Sequence, residues 1–304
     1  MAIDGIFNID KPVGITSHDV VARVRRLAGQ KRVGHAGTLD PAASGVLPIL
    51  LGQATRLAEY LSESGKAYRA TIRFGIVTDS YDTEGQIIRE SAVSLTRDDI
   101  AVVLPTFLGA QLQRPPLYSA IKHEGQRLYS LARAGQTLEV PPRPVRIDSL
   151  DIVDWTSPNL VLDVECGKGT YIRSLAFDLG ERLGPGAHLA ALVRTRSGPF
   201  TLDSSVSLDA LAQAFSDNTW RDHCFAADEA LLDWRAAILG PENETRMRFG
   251  QLLPQSTEMS TNQRPLLRAY SADGRFLGIL RRDDAGWQPH KVLLITPDDA
   301  DDGC

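Results

Sequence analysis

The chain has 304 residues, with 33 lysines and arginines against 38 aspartates and glutamates, for a formal net charge of −5 at pH 7. This length accommodates one large domain and a smaller one, and the composition is that of a globular protein. No run reaches the roughly 18 apolar residues of a membrane span, and the first residues lack the basic and apolar regions of a secretory signal. We therefore expect a cytoplasmic protein without membrane contact. The three cysteines form no CxxC pair, which argues against a zinc cluster.

Charge is distributed unevenly along the chain. Residues 1–146 hold 18 basic and 14 acidic residues, a balance of +4, whereas residues 147–304 hold 15 and 24, a balance of −9. The net charge alone argues against a polyanionic partner. The cationic excess in the first half is nevertheless a weak indication of a nucleic-acid-binding face.

The first third of the chain is predicted to contain short strands and helices. A strand over residues 5–10 precedes a helix that begins with Ser17 as N-cap and ends at Gly29. Apolar spacing predicts a second helix over residues 52–61. Strict alternation then predicts a strand from Tyr68 to Phe74 with one buried face.

A glycine-rich loop from Gly34 to Gly45 carries one carboxylate, Asp40, followed directly by Pro41. Asp-Pro is ordinary turn chemistry, so a surface turn is one reading of this loop. The glycines also allow the backbone to approach a ligand closely. An apolar run from Val46 to Leu51 follows and is expected to anchor the loop in a core. A charged loop on a rigid scaffold is a common location for chemistry.

The remaining elements indicate an α+β fold. Thr96 and Asp99 form a capping-box pattern that opens a helix to about residue 108. A strand over residues 160–166 leads into a helix that ends near residue 183. From about Ala236 short apolar runs alternate with turn signals, which predicts a small β-rich module. Because no regular βαβ repeat occurs, we expect a mixed sheet flanked by helices and loops.

Residues 114–146 combine cations with aromatic rings. The six cations of this segment are Arg114, Lys122, Arg127, Arg133, Arg143 and Arg146, and its two tyrosines are Tyr118 and Tyr129. Looped or single-stranded RNA stacks its bases on rings and pairs its phosphates with cations. The segment is therefore a candidate RNA-binding insertion.

Two other motifs are set aside. Gly-Lys-Gly-Thr at residues 167–170 lacks the upstream glycine of a phosphate-binding P-loop. The pattern Asp79…Asp82…Glu84-Gly85 lacks the remaining ligands of a calcium-binding loop, and we interpret it as a polar turn. Neither pattern predicts a metal or cofactor site.

Several segments, in the same order and spacing, resemble the TruB family of bacterial tRNA pseudouridine synthases, which act on uridine 55 of the T loop. The resemblance covers roughly residues 5–200, and the C-terminal module resembles a PUA domain only loosely. The matching segments are Gly34-His-Ala-Gly-Thr-Leu-Asp-Pro, Lys66-Ala-Tyr-Arg, Arg114-Pro-Pro-Leu-Tyr-Ser-Ala-Ile-Lys, Cys166-Gly-Lys-Gly-Thr-Tyr-Ile-Arg-Ser-Leu and Arg194-Thr-Arg-Ser-Gly. The chain departs from the family at Ala42-Ala43-Ser44, Gly167 and Val193, with an open effect on affinity.

The resemblance implies a catalytic domain over residues 1–235, with the insertion folding over the T arm, and a PUA-like RNA-binding domain over residues 236–304. It implies that Asp40 is the catalytic carboxylate. Asp40 adds to the ribose C1′, adds to the base C6, or removes a sugar proton, and the sequence leaves these routes open. Arg173 is the cation expected to pair with Asp40, since a guanidinium holds its charge and binds carboxylates bidentately.

The substrate pocket is also implied by the resemblance. Tyr68 matches a tyrosine that stacks on the flipped base, and its hydroxyl is a candidate for removing the C5 proton. Tyr171 and Leu192 match residues that line the uridine pocket. His35 matches a histidine that occupies space among the flipped loop bases, and Lys11-Pro12 is expected to be scaffold near the site.

The isomerisation needs no redox change or energy source, so we expect no cofactor and no metal. The expected partner is the T arm of tRNA, bound by a monomer that needs no obligate protein partner. A tRNA-folding chaperone activity is a second function that can coexist with catalysis. A nucleosidase using the same aspartate is a third, although no second carboxylate lies near Asp40 in sequence. A guide-RNA-dependent relative acting on ribosomal RNA is a close variant.

Overall fold

The structure is a computed structural model that describes residues 2–116, 122–123, 126–127, 140–253, 265–283 and 286–293. Its strands, in chain order, are β1 (Ile6–Lys11), β2 (Val33–His35), β3 (Ala43–Leu51), β4 (Lys66–Phe74), β5 (Ile76–Thr78), β6 (Ile87–Glu90), β7 (Gly109–Gln113), β8 (Lys122–His123), β9 (Gln126–Arg127), β10 (Arg143–Thr156), β11 (Asn159–Cys166), β12 (Ala187–Ser197), β13 (Phe200–Thr201), β14 (Val206–Ser207), β15 (Cys224–Phe225), β16 (Ala236–Leu239), β17 (Leu266–Ser271), β18 (Phe276–Asp283) and β19 (Gly286–Val292).

Helices flank these strands. They are α1 (Ser17–Leu27), α2 (Ala58–Glu63), α3 (Arg97–Val103), α4 (Ile172–Leu183), α5 (Leu208–Ser216) and α6 (Pro241–Arg248), with 3₁₀ turns at Gly52–Leu57, Leu104–Phe107, Trp220–His223 and Ala227–Leu231. No helix in the described part of the chain is long and apolar enough to cross a membrane.

One mixed sheet of eleven strands forms the body of the molecule. Its order is β14-β1-β3-β12-β4-β11-β10-β7, with β2, β13 and β15 pairing at the sides. The β1–β14 and β3–β12 pairs are parallel, while β4 pairs antiparallel with both β11 and β12. The α+β fold predicted from the sequence is therefore confirmed.

The main core lies on the face of this sheet that α1, α3 and α4 cover. The predicted alternation in β4 is confirmed, because Tyr68, Ala70, Ile72 and Phe74 are all buried in this core. Residues from β1, β3 and β11 complete the same layer. Burial of apolar surface on this scale is the main stabilising term of the fold.

A second core lies on the opposite face and joins the C-terminal module to the sheet. Buried residues of β3, such as Val46 and Leu50, share this cluster with Phe276 and Ile279 of β18. The module is a four-stranded sheet in the order β16-β17-β18-β19, and α6 packs on it through Met247. The predicted β-rich module is thus present, but the short helix α6 was not predicted.

Two boundaries differ from the sequence-based prediction, and a third is confirmed. Thr16, not Ser17, is the N-cap of α1, because its hydroxyl accepts a hydrogen bond from the Asp19 N–H in a capping box. The apolar run Val292–Ile295 predicted the last strand of the module, but that strand is Gly286–Val292 and ends where the run begins. The capping box of Thr96 and Asp99 is confirmed at the start of α3.

Most of the predicted RNA-binding insertion lies outside the described residues, including Tyr118, Tyr129 and Arg133. Its two ends are described, and they meet in the sheet. Gln113 at the end of β7 pairs with Arg143 at the start of β10. The segment therefore leaves the main sheet and returns to it at one point.

Candidate active site

The turn that carries Asp40 is fixed by hydrogen bonds on both sides. The Ser17 hydroxyl donates to the Leu39 carbonyl at 3.0 Å and accepts from the Leu39 N–H at 2.9 Å. The Gly14 N–H donates to the Pro41 carbonyl at 2.8 Å. Because these bonds link the turn to α1 and to the segment after β1, Asp40 has a defined position on a rigid scaffold.

Lys11 also bonds to the turn that carries Asp40. Its side chain is fully buried, and Nζ donates to the carbonyls of Pro12 at 2.9 Å, Ile15 at 2.8 Å and Pro41 at 3.4 Å. Burial lowers the pKa of Lys11, and the nearby charge of Asp40 opposes that shift. Lys11 thus satisfies backbone carbonyls close to the site, as expected of a scaffold residue.

Arg173 and Asp40 form the expected ion pair. Arg173 lies in the first turn of α4, and its Nη2 is 3.0 Å from Asp40 Oδ2. The Arg173 side chain is 8% exposed, whereas that of Asp40 is 47% exposed. The guanidinium is therefore held by the protein while the carboxylate remains open to a substrate.

Asp82 is a second carboxylate on the same arginine, and sequence reasoning missed it. Arg173 Nη1 is 3.3 Å from Asp82 Oδ2, and the Asp82 side chain is only 12% exposed. Its Oδ1 accepts hydrogen bonds from the Ser80 hydroxyl and from the Glu84 N–H. The polar turn predicted over residues 79–85 is present, but its Asp82 side chain contacts Arg173 and is largely shielded from solvent.

The turn around Asp82 adopts a strained conformation. Tyr81 has φ of 65°, a region that is unfavourable for a bulky residue. Its ring stacks on Phe177 of α4, with centroids 4.1 Å apart, and its carbonyl accepts a hydrogen bond from the Leu189 N–H at 2.9 Å. Strain that the surroundings over-determine is common at functional sites. Here the strained residue lies directly before Asp82, which contacts Arg173.

Arg194 organises the glycine-rich loop from within. It is 1% exposed, and it donates to the carbonyls of Val46 at 2.7 Å, Gly37 at 3.1 Å and Thr38 at 3.4 Å. Burial lowers the pKa of Arg194, and an electrostatic interaction with Tyr68 opposes the shift. The sequence resemblance included this arginine without a role; the structure shows it linking β12 to the loop of Asp40.

Tyr68 lies in the same neighbourhood. It is buried on β4, directly opposite Arg194 of β12 in the strand register. Burial raises the pKa of Tyr68, the Arg194 charge lowers it, and the Asp40 charge contributes a smaller increase. The strand register therefore places Tyr68 beside Arg194, the arginine that bonds the loop of Asp40.

The other predicted pocket residues lie on the elements that carry this cluster and differ in burial. Tyr171 is half-buried at the start of α4, two residues before Arg173. Leu192 packs partly buried against the main core, in register with Ala43 and Ala70. His35 is half-buried on β2, and burial, aided by the charges of His18 and Arg194, lowers its pKa.

The chemistry available to the cluster is that of one accessible carboxylate beside a buried, doubly paired guanidinium. An ionised carboxylate can add to carbon as a nucleophile or accept a proton as a base. In the part of the chain that the structure describes, no group of three or more His, Cys, Asp or Glu side chains is arranged to hold a metal ion. The residues present point to acid–base or covalent chemistry on an organic substrate.

Solved structures define the class to which this fold belongs. A chain of a Cbf5-Nop10-Gar1 complex matches with a TM-score of 0.75 at 25% identity, over 97% of this chain and 86% of that chain. A chain of an H/ACA ribonucleoprotein bound to a substrate RNA containing 2′-deoxyuridine matches with a TM-score of 0.74 at 23% identity, over 95% and 85%. The mixed sheet with its C-terminal β module is the fold of the pseudouridine synthases.

Sequence comparison identifies the family within that class. The N-terminal domain of the TruB family pseudouridylate synthases matches residues 25–172, and the tRNA pseudouridylate synthase B C-terminal domain matches residues 173–238. The chain belongs to the TruB family and is a pseudouridine synthase, an enzyme that isomerises uridine to pseudouridine. The boundary between the two matched regions falls immediately before Arg173, and both regions contribute strands to the main sheet.

Curated relatives cover nearly the whole chain. Proteins called tRNA pseudouridine synthase B are 46% identical over 294 residues in Dehalococcoides mccartyi, covering 96% of this chain and 97% of the relative. In Gloeobacter violaceus the identity is 46% over 296 residues, covering 96% and 99%. In Clostridium perfringens it is 41% over 302 residues, covering 96% and 99%.

Proposed function

We propose that this enzyme converts uridine 55 in the T loop of tRNA to pseudouridine, with Asp40 as the catalytic carboxylate. Family membership supports the reaction, and the names of the relatives support tRNA as the substrate. The observation that carries the assignment of Asp40 is its 3.0 Å ion pair with a buried Arg173, in which the carboxylate is the exposed partner.

The reaction conserves all atoms of the nucleoside. The glycosidic bond between C1′ and N1 breaks, the base turns, and a bond forms between C1′ and C5. C5 loses a proton and N1 gains one. Asp40 either adds to C1′ or C6 or removes a sugar proton, and each route needs an accessible, charged carboxylate. Because substrate and product are isomers, no cofactor is required.

Arg173 holds the Asp40 carboxylate in position through their ion pair, and Asp82 holds Arg173 in turn. A guanidinium that contacts two carboxylates through different nitrogens cannot rotate freely. Preorganised charge of this kind contributes strongly to catalysis where water is excluded. Asp82 is therefore a residue that positions Arg173.

Tyr68 is proposed to stack on the flipped uracil. Extruding a base costs a few kcal/mol, and an aromatic ring recovers part of that cost. Burial raises the pKa of Tyr68, which favours the neutral phenol, and the Arg194 contact works against that effect. A second proposed role, removal of the C5 proton, requires the phenolate of Tyr68 as the base, and the Arg194 charge, which lowers the pKa of Tyr68, supports that form.

Three further residues complete the proposed pocket. Tyr171 and Leu192 line the uridine, and His35 occupies space among the displaced loop bases. Their support is positional, because Tyr171 begins the helix of Arg173, Leu192 pairs with Ala43 just after the turn of Asp40, and His35 lies in the same glycine-rich loop. The low pKa that burial gives His35 favours the neutral imidazole, which suits packing against a base.

The organisation proposed for the chain has a catalytic domain over residues 1–235, an insertion over about 114–146 that clamps the T arm, and a PUA-like RNA-binding domain over residues 236–304. We further propose that the protein acts in the cytoplasm as a monomer without an obligate partner, and that it also helps tRNA to fold. The second core, shared between the sheet and the C-terminal module, supports a fixed arrangement of the two RNA-binding parts.

A nucleosidase is the main competing chemistry, since it would use the same aspartate together with an acid. Asp82 is a second carboxylate in contact with Arg173, and its oxygens already accept bonds from Arg173, Ser80 and Glu84. A carboxylate engaged in this way is poorly suited to protonate a leaving base. Isomerisation is therefore the better-supported outcome.

The substrate assignment is tested with position-labelled RNA and the purified chain alone. T-arm stem-loops carry tritium at C5 of uridine 55 or of another loop uridine, and tritium release is measured. We expect release from position 55 only. Release of free uracil would support the nucleosidase, and a lack of release from the bare stem-loop would contradict action without a guide RNA or partner protein.

A further inference from the structure

Helix α4, which carries Arg173, lacks the usual means of capping its own N-terminus. Its N-cap residue is Tyr171, which makes no side-chain capping bond. The third helical residue is Ser174, where a capping box has Glu or Gln that bonds the N-cap N–H. The groups at this end of the helix must therefore be satisfied from elsewhere in the protein.

Gln113, at the end of β7, satisfies one of those groups, the Tyr171 N–H, and also bonds the Tyr171 carbonyl. Its Oε1 accepts from the Tyr171 N–H at 2.8 Å, and its Nε2 donates to the Tyr171 carbonyl at 2.9 Å. The residue is 6% exposed, so both bonds are shielded from water. The Gln113 amide thus bonds both the N–H and the carbonyl of Tyr171, which lies two residues before Arg173.

A second hydrogen bond joins the end of β7 to Ser174, the residue that follows Arg173. The Ser174 hydroxyl donates to the Arg114 carbonyl at 2.7 Å, and Ser174 is 1% exposed. Tyr171, directly before the pair 172–173, is therefore bonded to Gln113, and Ser174, directly after it, is bonded to Arg114. Gln113 and Arg114 also form one end of the segment that leaves the sheet between β7 and β10.

We infer that Gln113 is a positioning residue for the isomerisation, acting through the backbone of Tyr171 to set where Arg173 meets Asp40. The inference rests on the proposed function, in which the pair of Arg173 and Asp40 carries the chemistry. A displacement of about 1 Å in a catalytic group can cost on the order of 100-fold in rate. Loss of the two Gln113 bonds is expected to release the start of α4 by such an amount.

The test compares Gln113→Leu with Gln111→Leu in the full chain. Gln111 lies on the same strand but donates only to the carbonyls of Thr106 and Leu108, away from α4. We expect Gln113→Leu to lower kcat by roughly 10–100-fold, with T-arm affinity within about two-fold of the native chain. Gln111→Leu should leave both values unchanged. An unchanged kcat in Gln113→Leu would overturn the inference.

A double-mutant cycle separates positioning from general stability. If Gln113 acts through Arg173, the combination of Gln113→Leu with Arg173→Lys should be no slower than the slower single variant, within about two-fold. Multiplicative losses would show that Gln113 acts independently of the arginine, and they would overturn the inference. Thermal unfolding confirms that each variant is folded at the assay temperature.

Gln113→Met is the variant to use if Gln113→Leu does not fold. It keeps an unbranched side chain of similar length and adds no buried charge, but it removes both bonds to Tyr171, so a loss of kcat like that of Gln113→Leu is expected. Activity in Asp40→Asn would remove the proposed function itself. An inactive Asp40→Asn beside a fully active Gln113→Leu and Gln113→Met would remove only the inference about Gln113.

Discussion

Arg173 lies between two aspartates that differ in their access to solvent. The side chain of Asp40 is 47% exposed and that of Asp82 is 12% exposed, although each contacts the same guanidinium. A charged pair at low exposure must be well coordinated, because desolvation of the ions is costly. The exposed member is free to react, and the buried member fixes the arginine.

Replacing Asp82 tests whether this buried carboxylate positions Arg173. Asp82→Asn keeps the shape of the side chain but leaves Arg173 with one carboxylate, so the guanidinium should be less well positioned. We expect kcat to fall by at least about 10-fold, with a loss of roughly 1–3 kcal/mol in the free energy of unfolding. Tritium release and denaturant unfolding measure the two effects.

Asp79→Asn is the matched control for that variant. Asp79 lies in the same turn and accepts a hydrogen bond from the Gln86 N–H at 2.9 Å, without contact to Arg173. We expect it to retain native kcat. Equal losses in the two variants would indicate that the turn as a whole matters and that the contact of Asp82 with Arg173 does not.

Residue patterns alone did not reveal Asp82 or the role of Arg194. Asp82 is separated from Arg173 by 91 positions in sequence, and nothing in its local turn distinguishes it from a solvated one. Arg194 bonds to carbonyls of Val46 and Gly37, 148 and 157 positions away. Contacts of this length depend on the strand order of the sheet, which local spacing does not encode.

At the scale of elements, the loop from Gly34 to Gly45 depends on close contact with β12. Gly45 has φ of +100°, and a Cβ at this position would lie 2.3 Å from the Arg194 carbonyl oxygen. Only glycine fits such an approach without strain. The glycines of the loop thus serve the packing of β3 against β12 as well as any approach to a ligand.

Gly45→Ala should therefore disrupt the loop of Asp40. A left-handed φ costs an alanine about 1–2 kcal/mol, and the overlap with backbone atoms adds to that cost. We expect a loss of more than about 2 kcal/mol in the free energy of unfolding, with tritium release falling in parallel. Chemical denaturation measures the first effect.

Gly34→Ala is the control in the same loop. A Cβ on Gly34 meets nothing within 4 Å, and its φ is not in the left-handed region. We expect a change within about 1 kcal/mol. A similar large loss in both variants would mean that the close approach of Gly45 to Arg194 is not the cause.

The elements themselves were largely predictable, and the differences have local causes. The alternation in β4 and the capping box of Thr96 and Asp99 appear as expected. Ser17 resembled an N-cap but instead bonds Leu39, a contact that required the folded loop. Helix α6 was missed because its sequence is polar and only Met247 is buried.

At the scale of the whole molecule, the main sheet carries a core on each face. One face packs against α1, α3 and α4 and holds Tyr68 and the turn of Asp40 in place. The other face packs against the C-terminal module through residues such as Ile279. The site therefore draws on residues from both halves of the chain, assembled by one sheet.

The resemblance to the TruB family named Asp40, Arg173 and Tyr68 together, which residue patterns alone did not do. The structure brings Asp40 and Arg173 into contact and places Tyr68 beside Arg194. It also shows which residues hold them: Asp82, Arg194 and Gln113. Those supporting residues follow from tertiary geometry and not from motif spacing.

The most direct test of the account compares Asp40→Asn with Asp163→Asn. Asp163 also pairs with an arginine, Arg69 at 2.8 Å, but it lies on an exposed part of β11. Tritium release from a T-arm stem-loop labelled at uridine 55 measures turnover, and binding of the same RNA is measured in parallel. We predict that Asp40→Asn abolishes release while retaining RNA binding, and that Asp163→Asn behaves as the native chain. Native release by Asp40→Asn would contradict the central claim.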